Sequence, residues 1–153
     1  MDYIGYSASG SETYTTSYGV TQIFDLNGVT GDFEISATLK GSTSENAFGI
    51  TFNTHNGTQN NNLLRVGFGT NSLAIVSKVN NTMTDNYWNT ENYQADTPIT
   101  LKIKRVNGEY TCYAGENLSH SIVNAPSGLR YVMLESWNFA RTISYTDFKV
   151  ERM

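Results

Sequence analysis

The chain has 153 residues, of which 39% are hydrophobic and 16% are charged, and its formal net charge at pH 7 is −4. This length suits one domain, 1–153, and an aromatic content of 12% excludes a disordered chain, because disordered chains lack the aromatic residues that build a core. The few Lys and Arg residues are scattered, which argues against nucleic-acid binding, and no apolar run approaches the roughly 20 residues that a membrane span requires.

The N-terminal residues 1–19 are rich in Tyr, Ser, Gly and Thr and are predicted to form an edge segment. Within this segment, Tyr3–Tyr6 is a candidate edge strand and 7–11 a candidate loop. A strand is predicted next over Val20–Leu26. Asn27-Gly28 then predicts a tight turn, since both residue types tolerate a positive φ.

Four runs between Asp32 and Asn80 alternate apolar with polar residues. They read DFEISATLKG, AFGITFNTHNG, NNLLRVGFG and SLAIVSKVN, and Gly, Asn, Ser or Thr separates them. A period of two is typical of half-buried strands with one apolar face. We therefore expect four consecutive strands in a meander, with one face on a core and polar side chains on the other.

The segment after the meander, residues 81–96, has no clean period and is predicted to form a long loop that carries Tyr87, Trp88 and Tyr93. A hairpin follows, in which Asn107-Gly108 joins ITLKIKRV to EYTCYAG. Further strands are predicted at LSHSIV, LRYVMLESW and TISYTDFKVER. No long stretch has a helical period, so the expected class is all-β, with two packed sheets or a barrel.

The single cysteine, Cys112, lies in the predicted strand EYTCYAG, which excludes an internal disulfide and predicts a small buried thiol. A nucleophilic cysteine would need a histidine and an orienting group beside it. His55 and His120 show no such pattern, and no CxxC or HxxxH spacing indicates a metal site. These residues therefore predict no metal and no cofactor.

The order of strands between Gly31 and Glu151 resembles a known superfamily. The segments GDFEISATLKG, FGITF, TPITLKIKRVNGEYTCYAG, RYVMLES and YTDFKVER follow one another as in the concanavalin A-like lectins and glucanases, which include laminin-G-like and galectin-like carbohydrate-binding modules. The resemblance implies a two-sheet antiparallel β-sandwich, or jelly roll. It also implies that the meander lies on a concave sheet, which the Arg130–Trp137 strand joins beside the Asp32–Lys40 strand.

Alternation then sorts the side chains of these strands between the core and a concave groove. The expected core-facing residues are Phe33, Ile35, Ala37, Leu39, Phe48, Ile50, Phe52, Leu64, Val66 and Phe68. The expected groove residues are Ser36, Thr38, Lys40, Thr51, Asn53, His55 and Arg65. On the late strand the groove set is either Tyr131, Met133, Glu135 and Trp137, or the residues between them.

The segment ITFNTHNG resembles the sugar-binding strand of galectins, with Thr51, Asn53 and His55 at alternate positions. The galectin Trp-Gly-x-Glu-x-Arg strand is missing, and SLAIVSKVN stands in its place. The resemblance therefore does not extend to galactoside specificity.

A sugar site needs flat aromatic surface for the C–H face of the ring and fixed polar groups for its hydroxyls. The polar candidates are Asn53, His55, Arg65 and Glu135, and the aromatic candidates are Tyr87, Trp88, Tyr93 and Trp137. Other roles are open for several of them. Trp137 can close the end of the core, Tyr87 and Trp88 can pin a loop to the sheet, and His55 can cap a turn at 55–57.

Catalysis in this superfamily uses two carboxylates across the groove, on a strand that resembles E-x-D-x-x-E. This chain has no such strand, and Glu34 and Glu135 are its one candidate pair. By resemblance alone, Asp32 and Asp147 are candidate calcium ligands, although no dense acidic loop accompanies them.

The favoured interpretation is a non-catalytic carbohydrate-binding module that recognises an oligosaccharide, a glycan or a cell-wall polysaccharide through the concave sheet. We expect it to serve adhesion or host recognition, outside the cell, at a cell surface or on a virion. The absence of a visible signal peptide favours a part of a larger protein, for example a phage tail. The alternatives are a structural or protein-interaction β-sandwich without sugar binding and a glycoside hydrolase of the same fold.

Overall fold

A computed structural model describes residues 2–14, 18–21, 23–42, 47–57, 61–69, 72–89, 94–116, 118–137 and 141–153. These residues form thirteen β-strands, and none of them lies in a helix long and apolar enough to cross a membrane. The strands are β1 (Asp2–Tyr14), β2 (Tyr18–Val20), β3 (Phe24–Asp25), β4 (Phe33–Gly41), β5 (Ala47–Asn53), β6 (Leu63–Gly69), β7 (Ser72–Val79), β8 (Thr82–Asn89), β9 (Ile99–Val106), β10 (Glu109–Ala114), β11 (Leu118–Ser121), β12 (Tyr131–Trp137) and β13 (Arg141–Arg152).

The strands form two sheets that pack on each other. The first sheet has the order β1-β13-β4-β9-β10-β11, and the second has the order β2-β12-β5-β6-β7-β8, with β3 paired to β12. The paired strands are antiparallel. This arrangement confirms the predicted all-β, two-sheet antiparallel β-sandwich.

One hydrophobic core lies between the sheets. Every residue predicted to face the core is buried in it: Phe33, Ile35, Ala37, Leu39, Phe48, Ile50, Phe52, Leu64, Val66 and Phe68. The ring of Phe24 on β3 stacks on that of Phe148 on β13, with centroids 4.5 Å apart, and so connects the two sheets. Each buried ring of this kind contributes about 1.5–3 kcal/mol to stability by its removal from water.

The predicted four-strand meander is divided between the two sheets, so that prediction was wrong. β5, β6 and β7 are consecutive neighbours, but β4 lies in the first sheet between β13 and β9. β12 lies beside β5 and β2 and not beside the Asp32–Lys40 strand. The predicted groove residues Ser36, Thr38 and Lys40 therefore belong to the outer face of the first sheet. Alternation reports which side of a strand is apolar, but not which sheet the strand joins.

Two segments predicted as loops are strands. β1 includes residues 7–11, and β8 occupies the first half of the predicted loop 81–96. Both strands lie at the edge of a sheet, where less of the strand meets the core and apolar alternation is weak. The predicted strand over Val20–Leu26 is interrupted, because β2 ends at Val20 and β3 begins at Phe24.

Both Asn-Gly turns are confirmed. Asn107 and Gly108 have φ angles of 52° and 79° and close the hairpin between β9 and β10. The Asn107 N–H also donates to Asp32 Oδ1 at 2.8 Å. At the other turn Gly28 has a φ of 82°, a conformation that costs a glycine little because it has no Cβ.

Candidate functional site

The polar residues at the centre of the predicted groove lie on the outer face of the second sheet, the side away from the core. On β5 the side chain of Ile50 is in the core and Thr51 faces outward. On β12 Leu134 is in the core, which assigns Glu135 to the outer face. Of the two sets predicted for this strand, the first is therefore the outward one, with Tyr131, Met133 and Glu135.

Arg65 lies on β6 and is held by side chains of two other strands. Its Nη2 donates to Glu135 Oε1 at 3.0 Å, and its Nε donates to Thr51 Oγ1 at 3.0 Å. The Glu135 side chain is 1% exposed, whereas that of Arg65 is 20% exposed. A buried carboxylate is tolerated only when it is paired and hydrogen-bonded. The guanidinium is thus oriented by buried partners, and the Arg65 side chain is the more exposed member of the ion pair.

A strip of very small residues crosses the same face beside the arginine. Starting from Glu135 on β12, the successive register partners are Gly49, Gly67 and Ala74. The two glycine backbones are so close that a Cβ on Gly49 would lie 2.3 Å from the carbonyl oxygen of Val66 and 2.8 Å from the Cα of Gly67. Any side chain at Gly49 would displace the facing backbone. Gly49 and Gly67 are themselves buried, so the close approach of the two strands leaves no open surface at these positions.

Asn53 shapes the end of β5. Its Oδ1 accepts a hydrogen bond from the His55 N–H at 3.0 Å, which is a turn in which the side chain replaces a backbone acceptor. Asn53 has no exposed surface, whereas His55 is exposed in the turn that follows. Asn53 therefore positions the turn and cannot touch a ligand in this conformation. His55 is accessible at the margin of the outer face.

Of the four aromatic candidates, the structure describes the side chain of Tyr87 alone. The Tyr87 ring faces the first sheet and stacks on His120, with centroids 4.5 Å apart and planes 2° apart. The backbone of Trp88 pairs with that of Ala74, and the backbone of Trp137 pairs with that of Ala47. Tyr93 lies outside the described residues.

Several residues of this face were missed by sequence reasoning. Gly49 and Gly67 lie in the interior of predicted strands, and a glycine there is a known signal of close backbone approach that would have found them. Leu63 was missed as well, whereas Met133 belongs to a set that the sequence predicted; both are fully buried although they point away from the main core. Met133 is the register partner of Thr51, and Leu63 is that of Asn53, so these buried side chains lie beside the polar ones on the same face.

Tyr131 adds an aromatic ring at the margin of the face. The Arg130 guanidinium lies 4.9 Å from the centre of that ring and forms two hydrogen bonds to Asp25, at 2.8 and 2.9 Å. The bond from Arg130 holds the pKa of the Asp25 carboxyl below its ordinary value. The Tyr131 ring is thus covered on one side by an arginine that a salt bridge keeps in place.

The candidate carboxylate pair is separated by the sandwich itself. Glu34 lies on β4 of the first sheet, where Lys102 and Lys104 approach it to 3.6 and 3.9 Å, and Glu135 lies on the second sheet. The two carboxylates point to opposite outer faces. They cannot act on one glycosidic bond, so that part of the hydrolase alternative was wrong.

The candidate calcium ligands are also apart. Asp32 accepts the Asn107 N–H in a turn, and Asp147 lies on β13 at an irregularity of the ladder. Among the described residues, no group of three His, Cys, Asp or Glu side chains is placed to hold a metal ion. Cys112 is buried as predicted, and its burial raises the pKa of the thiol far above its usual range.

Comparison with known proteins shows the fold. No family model matches the chain, and no curated protein matches it in sequence. Among solved structures, it is similar to the carbohydrate-binding module CBM66 from Bacillus subtilis, with 12% identity, a TM-score of 0.64, and 96% of this chain and 91% of that one covered. The carbohydrate recognition domain of Emp47p has 15% identity and a TM-score of 0.55, with 100% and 91% covered. Sheep galectin-11 has 8% identity and a TM-score of 0.52, with 86% and 98% covered.

These TM-scores establish the fold of the chain and not its function. It has the concanavalin A-like β-sandwich fold that carbohydrate-binding modules and galectins share, which confirms the resemblance read from the order of strands. A shared fold hosts many functions, so the function has to be argued from the outer face of the second sheet.

Proposed function

We propose that the chain is a non-catalytic carbohydrate-binding domain that takes a neutral glycan on the outer face of the second sheet. The observation that carries this proposal is Arg65, held by the buried Glu135 and Thr51 beside the strip of Gly49 and Gly67. The guanidinium offers donors in a fixed geometry to hydroxyl groups.

We expect a neutral ligand because Arg65 and Glu135 together carry no net charge. Glu135 lies 3.0 Å from the Arg65 guanidinium and balances its charge. A ligand carboxylate or sulfate would have to approach a buried carboxylate as well as the arginine, which is unfavourable where water is scarce. Hydroxyl groups meet no such repulsion. The names of the similar structures, a carbohydrate-binding module and a carbohydrate recognition domain, support the same class of ligand.

A domain of this kind serves adhesion or host recognition as part of a larger protein at a cell surface or on a virion. The low charged fraction and the abundance of Tyr, Asn, Ser and Thr support this placement. A hydrolase is disfavoured because Glu34 and Glu135 lie on different sheets.

One observation favours a second candidate, a structural or protein-interaction domain with a vestigial groove. Thr51, Asn53, Leu63 and Met133 have no exposed surface, and Gly49 and Gly67 are buried as well, so much of the outer face around Arg65 is closed to solvent. Sugar contact then depends on Arg65 and on the exposed residues at the margins.

Binding to immobilised glycans, followed by calorimetric titration of the best ligand, separates the two candidates. Neutral and acidic polysaccharides should be compared, and we expect the neutral ones to bind. Arg65→Ala should weaken binding by roughly 10- to 100-fold, the value of a hydrogen bond from a charged donor. Lys40→Ala removes a positive charge from the outer face of the first sheet and is the matched control.

Binding that Arg65→Ala leaves unchanged would contradict the proposed site. Absence of binding to any glycan would favour the structural candidate. A preference for acidic polysaccharides would keep the carbohydrate-binding class and overturn the neutral ligand.

A further inference from the structure

A cluster of polar and aromatic side chains lies where the edge strand β8 of the second sheet meets the edge strand β11 of the first. Asp85 and Tyr87 come from β8, His120 comes from β11, and Val123 comes from the segment that follows β11. Tyr87 is the register partner of the core residue Ile75, so its side chain is on the inner side of β8. This group, which we call the edge cluster, is therefore on a different surface from the outer face of the second sheet.

The His120 ring is held in place by Asp85. Its Nε2 lies 2.8 Å from Asp85 Oδ1 and 2.9 Å from Oδ2. Since both carboxylate oxygens accept, Nε2 carries the hydrogen and donates it. The Val123 N–H donates to Oδ2 of the same carboxylate at 3.1 Å, and the Asp85 side chain is 12% exposed. The carboxylate is thus engaged with the protein and serves to orient the imidazole.

His120 in turn holds the ring of Tyr87. The centroids of the two rings are 4.5 Å apart and their planes are 2° apart, so the imidazole covers one face of the phenol ring. Tyr87 is nevertheless 41% exposed, which leaves the uncovered side and edge of its ring open to solvent. A side chain that is already held in one orientation loses less conformational freedom when a ligand binds to it.

Two polar atoms of the stacked pair make no hydrogen bond within the described part of the chain. They are the hydroxyl of Tyr87 and Nδ1 of His120. When Nε2 carries the hydrogen of a neutral imidazole, Nδ1 accepts a hydrogen bond, and a phenol can both donate and accept. An open aromatic ring with a donor and an acceptor at its margin is the combination that a sugar ring requires.

The charges of the edge cluster favour a neutral ligand. The cluster contains one carboxylate and no lysine or arginine, so an anionic ligand would be repelled. A cationic ligand would have to compete for Asp85 with the His120 ring and the Val123 N–H, which already bind it. Val123 adds an apolar side chain that is 75% exposed, which suits the C–H groups of a sugar.

We propose that the edge cluster is a second saccharide-binding site, in which Tyr87 contacts the C–H face of a sugar ring and His120 Nδ1 accepts a hydrogen bond from one of its hydroxyl groups. Asp85 is then a positioning residue that acts through His120. The inference rests on the proposed function, because it assumes that the chain binds neutral glycans. It adds that the domain has two separate sites, one at Arg65 and one at the edge cluster.

The test follows the ring signals of the two histidines by nuclear magnetic resonance, assigned with His55→Gln. The neutral oligosaccharide that binds best to the unaltered chain is titrated, and calorimetry measures the total binding in parallel. The variants are Tyr87→Ala, which removes the ring, and Tyr87→Phe, which keeps it. Tyr113→Ala is the matched control, since Tyr113 is a half-buried tyrosine of the first sheet that contacts Lys104.

We expect the signals of His120 to shift until they saturate, which gives a Kd for the edge cluster. Tyr87→Ala should raise this Kd by roughly tenfold, because one aromatic contact is lost. Tyr87→Phe should raise it by less than about threefold, since only the hydroxyl is removed. Tyr113→Ala and Arg65→Ala should leave it unchanged.

Calorimetric binding that leaves the His120 signals in place would overturn the second site while the proposed function stands, and this result requires no variant. A Kd from His120 that Tyr87→Ala does not change has the same meaning. Binding that Tyr87→Ala weakens and Arg65→Ala does not would overturn the site at Arg65 and support the edge cluster. If no neutral oligosaccharide binds to the unaltered chain, both proposals are overturned.

Discussion

The two outer faces of the sandwich carry the same kinds of charged groups but surround them differently. On the first sheet Lys102 and Lys104 approach Glu34 to 3.6 and 3.9 Å, and the two lysine side chains are 41% and 31% exposed. On the second sheet Arg65 and Glu135 meet at 3.0 Å, with side chains 20% and 1% exposed. The Glu34 side chain is only 10% exposed, but water reaches the lysines and screens these longer pairs more than it screens the arginine pair.

The two faces differ in the free energy that the desolvation of their charged groups costs. A solvated ion pair can be exchanged for other polar residues with little effect, so the first face is an ordinary surface. A buried ion pair adds little net stability, because the desolvation of both charges offsets their attraction. The buried pair of Arg65 and Glu135 is therefore the feature of this face on which the proposed glycan binding rests.

The largest effect is expected at the glycine strip. Gly67→Val places a branched side chain where a Cβ would already lie 2.3 Å from the Phe48 carbonyl oxygen, so β5 and β6 must separate. We expect a loss of roughly 3 kcal/mol or more in the free energy of unfolding, measured by urea denaturation. Ala74→Ser, which alters the next residue of the same row, should change the free energy little. An equally stable Gly67→Val protein would show that the strands are not in close contact.

A smaller effect on the free energy of unfolding is expected when Glu135 or Glu34 is replaced, and the two substitutions should differ in size. Glu135→Gln leaves the Arg65 guanidinium without its buried counter-charge and should cost about 1.5–3 kcal/mol of unfolding free energy. Glu34→Gln weakens two longer contacts to exposed lysines and should cost about 0–1 kcal/mol. Chemical denaturation of both variants at low and high salt measures the contrast, and only the effect of Glu34→Gln should shrink with salt. Equal costs would remove the distinction between the two faces.

The smallest effect is expected at the exposed ion pair of Asp25 and Arg130. The pKa of Asp25 is lowered from its ordinary value of 3.8 in the folded chain, chiefly by the hydrogen bond from Arg130. A lowered pKa contributes stability above the ordinary value, and this contribution is lost as the pH falls through the folded-state value. The Tm difference between the unaltered chain and Asp25→Asn should therefore be larger near about pH 6 than near about pH 3. A Tm difference between the unaltered chain and Asp25→Asn that increases in acid would contradict the role of Arg130.

Much of the fold could be predicted because its signals are local. Alternation placed Phe33, Ile50 and Phe52 in the core, and Asn107-Gly108 specified a hairpin, since a side-chain period and a positive φ need only neighbouring residues. Arg65 was identifiable for a similar reason, as a charge that points outward from a strand with an apolar inner face.

The tertiary structure decided everything that joins distant parts of the chain. Arg65 and Glu135 are 70 residues apart in the sequence but form an ion pair. β4 lies in the first sheet although β5, β6 and β7 lie in the second, and the Tyr87 ring stacks on His120 of the first sheet. The amino-acid sequence by itself determined which residues form strands and which side of each strand is apolar. The pairing of strands determined the site, because each strand can satisfy its backbone hydrogen bonds in either sheet, and only the packing of the whole core selects between them.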